Sequence, residues 1–130
     1  MERVWVYARI PFHPGATNQQ LLCNIKKAEE FGYQVVGSST DSTRGWMHRP
    51  GLKEMLRHVR SGEVDRIYIE SMGTISHRWC HLIAFFKEMT DRSVQVQTAQ
   101  YSLRYVAHIR GFGAGIETRA IRKGKAIPWD

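Results

Sequence analysis

Apolar positions along the chain follow two periods in turn. Val4–Ile10, "VWVYARI", is almost continuously apolar and reads as a buried β-strand. It stops against "PFHPG", where Pro11 and Pro14 punctuate the backbone. Asn18 to Phe31 is helical, with Leu21, Leu22, Ile25 and Ala28 inward and Gly32 as its stop. Gln34–Gly37 is a second strand, followed by the polar loop "SSTDSTRGWMHR" over 38–49. Pro50 then opens a helix, where its missing N–H costs little. Leu52, Met55, Leu56 and Val59 fall at i, i+3, i+4 and i+7, and Gly62 ends the run. Arg66–Glu70 is a third strand. Trp79, Leu82, Ile83, Phe86 and Met89 mark a third helix, and Val94–Gln97 a fourth strand.

The order β-α-β-α-β-α-β predicts an α/β fold with a mainly parallel sheet of about four to five strands and helices on both faces. Ligands of such sheets bind at the carboxyl ends of the strands. The loops of interest are therefore Arg9–Gly15, Ser38–Arg49 and Ser71–Arg78. After Gln100 the pattern weakens. Gly111, Gly113 and Gly115 break any long helix, leaving a short one over 116–123.

At 130 residues and 42% hydrophobic, the chain suits one domain with a hydrophobic core. No apolar run approaches the roughly 20 residues of a membrane span, and no signal-peptide pattern opens the chain. A cytoplasmic location without membrane association is the expectation. Cys23 and Cys80 lack CxxC spacing and are expected as buried free thiols. Net charge is +7, and residues 101–130 alone contribute +4. A basic tail on a nearly balanced domain suits a polyanionic partner.

Neither G-x-x-x-x-G-K-[ST] nor G-x-G-x-x-G follows the first strand, so no phosphate-cradling loop is expected there. His77, Cys80 and His81 share metal-ligand spacing, but no fourth ligand accompanies them. No metal and no cofactor is expected. Arg9, Arg44 and Arg49 fall where the sheet's carboxyl edge would gather them, and guanidinium groups suit phosphate.

"VYARI", "QLLCNIKKAEEFGYQVVG" and "DSTRG…HRPGLKEMLRHVRSGEVDRIYIESMGTISH" together resemble the N-terminal catalytic domain of the serine site-specific recombinases, the resolvase/invertase family. That family's pattern opens Y-x-R-[IV]-S, continues through Q-x-x-x-x-x-x-A-x-x-x-G-Y-x-V, D-x-x-S-G and D-R-P-G-L, and reaches S-L-D-R-L-S-R after the third strand. The resemblance covers roughly residues 3–100. It implies a resolvase-like three-layer fold and DNA recombination. In the family, the serine after strand one attacks a DNA phosphodiester, and arginines neutralise the phosphate.

Tyr7, Arg9, Gln20, Asp41, Gly45, Arg49, Pro50, Gly51, Leu52, Ser71, Ile75 and Ser76 match the pattern. The nucleophile position holds Pro11. The serine of D-x-x-S-G becomes Arg44. Within D-R-L-S-R, Gly73, Thr74 and His77 replace the aspartate and both arginines. No serine precedes Ser38, and Thr17 is too late to substitute. The resemblance therefore implies a site-specific recombinase domain, of a mobile-element family, without an intact catalytic set. Arg9, Gln20, Arg44, Arg49, Ser71, His77, Arg122, Lys123 and Lys125 remain as candidate phosphate or DNA contacts. Residues 1–100 are expected to form the α/β domain. Residues 101–130 form a basic extension, a truncated remnant of the family's long helix, with no separate DNA-binding domain.

Three functions compete. The first is a pseudoenzyme that binds DNA weakly or non-specifically, as a homodimer or beside an active recombinase that it regulates. The second is altered hydrolytic chemistry assisted by His13 or His77. The third is a protein-interaction module or decayed remnant using Trp46, Met47 and Trp79.

Overall fold

The computed structural model describes residues 1–43, 48–108 and 113–121. β1 (Arg3–Arg9) lies between β2 (Gln34–Asp41) and β3 (Arg66–Tyr68) and runs parallel to both. β4 (Gln95–Gln97) continues the parallel set beside β3. β5 (Tyr101–Val106) and β6 (Gly115–Ala120) then add in antiparallel fashion. The sheet order is β2-β1-β3-β4-β5-β6, six strands where four to five were predicted. The mainly parallel α/β architecture is as predicted.

Alternation along β1 builds both layers of the core. Val4 and Val6 pack with Tyr68 and with Ala28 of α1 (Pro14–Glu30). Trp5 and Tyr7 point the other way. They join Leu52, Met55 and Val59 of α2 (Pro50–Arg60) and Phe85, Phe86 and Met89 of α3 (Trp79–Asp91). A strand covered on both faces needs apolar residues at every position, which accounts for the unbroken run.

The structure corrects several expectations. α1 begins at Pro14, four residues before the predicted start, because proline is preorganised for a first helical turn. Its buried positions are Thr17, Asn24 and Ala28, while Leu22 is 68% exposed. Leu22 lies about 100° around the helix from its neighbour Leu21, which does pack inward. β2 runs on to Asp41 because the full length of β1 pairs with it. Trp79 opens α3 but stays exposed, and the buried stripe is Leu82, Phe85, Phe86 and Met89. Cys23 and Cys80 are exposed free thiols, on the outer sides of their helices.

The largest correction concerns residues 116–120, predicted as helix and found in strand β6. β6 pairs along its whole length with β5, and the cross-strand pair Arg104–Glu117 closes at 3.3 Å. Ile116 meanwhile packs on the core with Leu103 and Tyr105. Pairing and burial outweigh a weak local helix preference. Residues 122 and 123 of the predicted helix lie outside the described residues.

Candidate functional site

The chain crosses from β2 to β3 over β1, so the order of parallel strands reverses between β1 and β3. A crevice at the carboxyl ends of these two strands is where such sheets place ligands. Tyr7 and Arg9 end β1, Asp41 ends β2, and the turn Met72–Thr74 follows β3.

A buried polar network fills the floor of this edge. The Tyr7 hydroxyl donates to Asp41 Oδ2 at 2.6 Å. It accepts from Arg49 Nη2 at 2.7 Å and from Arg49 Nε at 3.2 Å. Asp41 also receives the N–H groups of Gly51 and Leu52, both at 2.9 Å, and so caps the start of α2. Arg49 donates to the carbonyl of Thr74 at 2.8 Å and to that of Ile75. Burial pushes the Tyr7 hydroxyl far above its ordinary pKa, and the hydrogen bond to Asp41 adds to this, while the Arg49 charge opposes it. The phenol stays a neutral donor that completes the carboxylate's shell.

Arg49 was expected on the surface facing phosphate. It is 1% exposed, and the donors just described turn inward. Its position between Asp41 and the turn after β3 makes it a brace holding that turn against β1. Arg9 is only half-buried, and its Nε donates to the Thr43 carbonyl at 3.1 Å. Burial, and then the like charge of Arg49, lower its pKa. A guanidinium remains charged at neutral pH regardless.

The loop after β1 is tied to the loop after β2. Phe12 N–H donates to the Ser42 carbonyl at 2.7 Å, and His13 N–H to Ile10 at 3.2 Å. Thr17 is the only hydroxyl side chain of Ser or Thr type before Ser38. It is fully buried, accepts the Ile10 N–H at 3.2 Å and donates to the His13 carbonyl at 2.7 Å. Pro11 sits half-buried at the turn, with neither a hydroxyl nor an N–H.

The other candidates scatter. Gln20 lies on α1 with its Oε1 buried and without a partner among the described residues. Ser71 is exposed and caps the Met72–Thr74 turn. His77 is exposed with its ring over Gly73, where an added Cβ would meet Cε1 at 2.8 Å. His13 is exposed. Arg44, Arg122, Lys123 and Lys125, with Trp46 and Met47, lie outside the described residues. Among the described residues no three His, Cys, Asp or Glu side chains gather as a metal site. His81, of the weighed metal spacing, instead faces Ser76 Oγ at 3.3 Å. No helix among the described residues is long and apolar enough to cross a membrane.

Sequence reasoning missed the Tyr7–Asp41–Arg49 network as a unit, and the role of Thr17. The available signal was Tyr7 itself, since a tyrosine inside a buried strand must find a partner for its hydroxyl.

Comparison with known proteins bears on the fold and the family. The resolvase N-terminal domain model matches residues 4–125. The fold is similar to the N-terminal catalytic domain of TP901-1 integrase, with a TM-score of 0.67 at 18% identity over 75% of this chain and 76% of that one. It is similar to the C-terminal catalytic domain of ISC1926 TnpA, an IS607-like serine recombinase, with a TM-score of 0.68 at 20% identity over 74% and 68% of the two chains. A resolvase family site-specific recombinase from Streptococcus pneumoniae gives 0.62 at 16% identity over 75% and 72%. No curated protein matches the chain. With the family model spanning nearly its whole length, the chain belongs to the resolvase N-terminal domain family of serine recombinases.

Proposed function

We propose that this domain keeps the recombinase fold and a DNA-contacting edge but does not cleave DNA by the family's serine mechanism. One observation carries the reading. Pro11 stands directly after the Arg9–Ile10 end of the first strand, where the family resemblance puts the attacking serine. A proline has no group that can form a phosphoester. Thr17 does not replace it, because its hydroxyl is buried and already hydrogen-bonded to the backbone. Loss of a nucleophile costs many powers of ten in rate, and the remaining partners do not recover it.

DNA contact rests on Arg9 at the carboxyl edge and on the excess of positive charge. Gln20, Arg44, Ser71, His77, Arg122, Lys123 and Lys125 are the further contacts proposed. Arg49 serves as a positioning residue from inside. Such a domain would act through association, as a homodimer or beside an active recombinase whose assembly it regulates.

The test is binding of a labelled duplex measured over a salt series. Affinity should fall steeply with added salt, as phosphate contacts require, and Arg9→Ala should weaken it. No binding at low salt would sink the DNA-contact part. A protein–DNA link surviving denaturation would sink the non-cleaving part.

A further inference from the structure

β6 is an outer strand of the sheet, and among the described residues nothing pairs with its far edge. Such an edge is a template for pairing with another chain. α3 centres on β5 and not on β6, and Thr118 and Ala120 are exposed. Charged side chains commonly blunt an edge strand. Here the two charges, Glu117 and Arg119, are of opposite sign and two residues apart.

The hydrogen-bond pattern fixes which residues face outward. The Ile121 N–H donates to the Gln100 carbonyl at 2.9 Å, one step beyond the Ala120–Tyr101 pair. Bonded and non-bonded pairs alternate along an antiparallel ladder, so Arg119 and Glu117 also bond to β5. Ile116, Thr118 and Ala120 therefore turn their N–H and C=O groups away from it. Glu117 and Arg119 share the face opposite Ile116, where Glu117 already meets Arg104 at 3.3 Å.

We infer that β6 pairs antiparallel with β6 of a second copy of this chain, about a two-fold axis at Thr118. Outward-facing residues must sit opposite one another to exchange hydrogen bonds. Centring the pairing on Glu117 or on Arg119 sets that charge against itself, which destabilises. Centring it on Thr118 sets Glu117 opposite Arg119 of the second copy, twice over, with Ile116 opposite Ala120. Each Glu117 then lies between its own Arg104 and the second copy's Arg119, a network rather than an isolated surface pair. The contact is isologous, so it closes at two copies. The other outer strand, β2, has no charged side chain from Gln34 to Thr40 to select a register. This interface deepens the homodimer reading above and rests on it, but it does not depend on DNA contact.

Sedimentation of the full chain over a concentration series tests it. Wild type should form dimers. Glu117→Arg and Arg119→Glu each turn two attractive pairs into two repulsive ones, and each should weaken dimerisation about tenfold. Combining them restores opposite charges across the two-fold axis and should recover most of the affinity. Thr118→Pro deletes an N–H that β5 does not use, so it should give a monomer with native circular dichroism. A wild type that stays monomeric at every concentration would overturn the interface and the homodimer together. A wild-type dimer that both single charge variants leave intact would overturn the interface alone. So would a double variant that dimerises no better than the single ones.

Discussion

Tyr7 donates its hydroxyl proton to Asp41 at 2.6 Å, and both side chains are buried at the carboxyl edge of neighbouring parallel strands. Arg49 completes the group and carries it to the turn after β3. β1, β2, the start of α2 and that turn therefore meet in one hydrogen-bonded unit. Asp41→Ala removes the partner of a buried phenol, the cap of α2 and a carboxylate 3.9 Å from Arg49 Nε. It should cost about 3–5 kcal/mol, the range for breaking a buried charged group's pairing. Tyr7→Phe should cost about 1–3 kcal/mol. Urea denaturation checks both, and an Asp41→Ala domain as stable as wild type would show that the network holds nothing together.

The approach of α2 to β2 leaves no room at Gly51. A Cβ there would stand 2.3 Å from the Thr40 carbonyl oxygen and 3.1 Å from Asp41 Oδ2. Backbone cannot swing aside as a flexible side chain can. Gly51→Ala should destabilise by about 1–3 kcal/mol through overpacking. Gly15→Ala is the control, since nothing lies within 4 Å of its Cβ position. It should leave the melting midpoint unchanged or slightly raised. Equal melting of the two variants would contradict this.

Acid should loosen the packing of α2 against α3. Glu88 accepts from Arg60 at 2.8 Å and from Arg92 at 2.9 Å. The hydrogen bond from Arg60 is the largest influence, and the Glu88 carboxyl is held below its ordinary pKa. A carboxyl with a lowered folded pKa contributes stability above its unfolded pKa, and that contribution disappears as pH falls through the folded value. Between about pH 6 and about pH 3, wild type should therefore lose more stability than Glu88→Gln. Parallel pH–stability curves would rule the linkage out.

Periodicity made much of the fold legible. The α2 stripe of Leu52, Met55 and Val59 is buried as its spacing predicts, and β1 is buried on both faces as its unbroken run requires. The misses share a cause. Asn24 and Thr17 are buried polar residues, invisible to a hydrophobic pattern. The β5–β6 hairpin depends on pairing across the chain, which local glycine and helix signals do not report. Arg49 looked like a surface cation because arginine is rarely buried. Its burial depends on Tyr7, Asp41 and two carbonyls meeting in space, and those groups are spread from position 7 to position 75. Pro11, by contrast, was readable at once, because the chemistry it lacks is a property of the residue itself.

The position after the first strand carries Pro11 and no nucleophile, so the chain forms no covalent link to DNA there. Supercoiled DNA incubated with the domain, denatured with detergent and digested to a protein-bound fragment tests it directly by mass spectrometry of the peptide spanning residues 9–17. Intact circles and an unmodified peptide are the expected result. A nucleotide covalently attached to that peptide, together with nicked or cut circles, would contradict it.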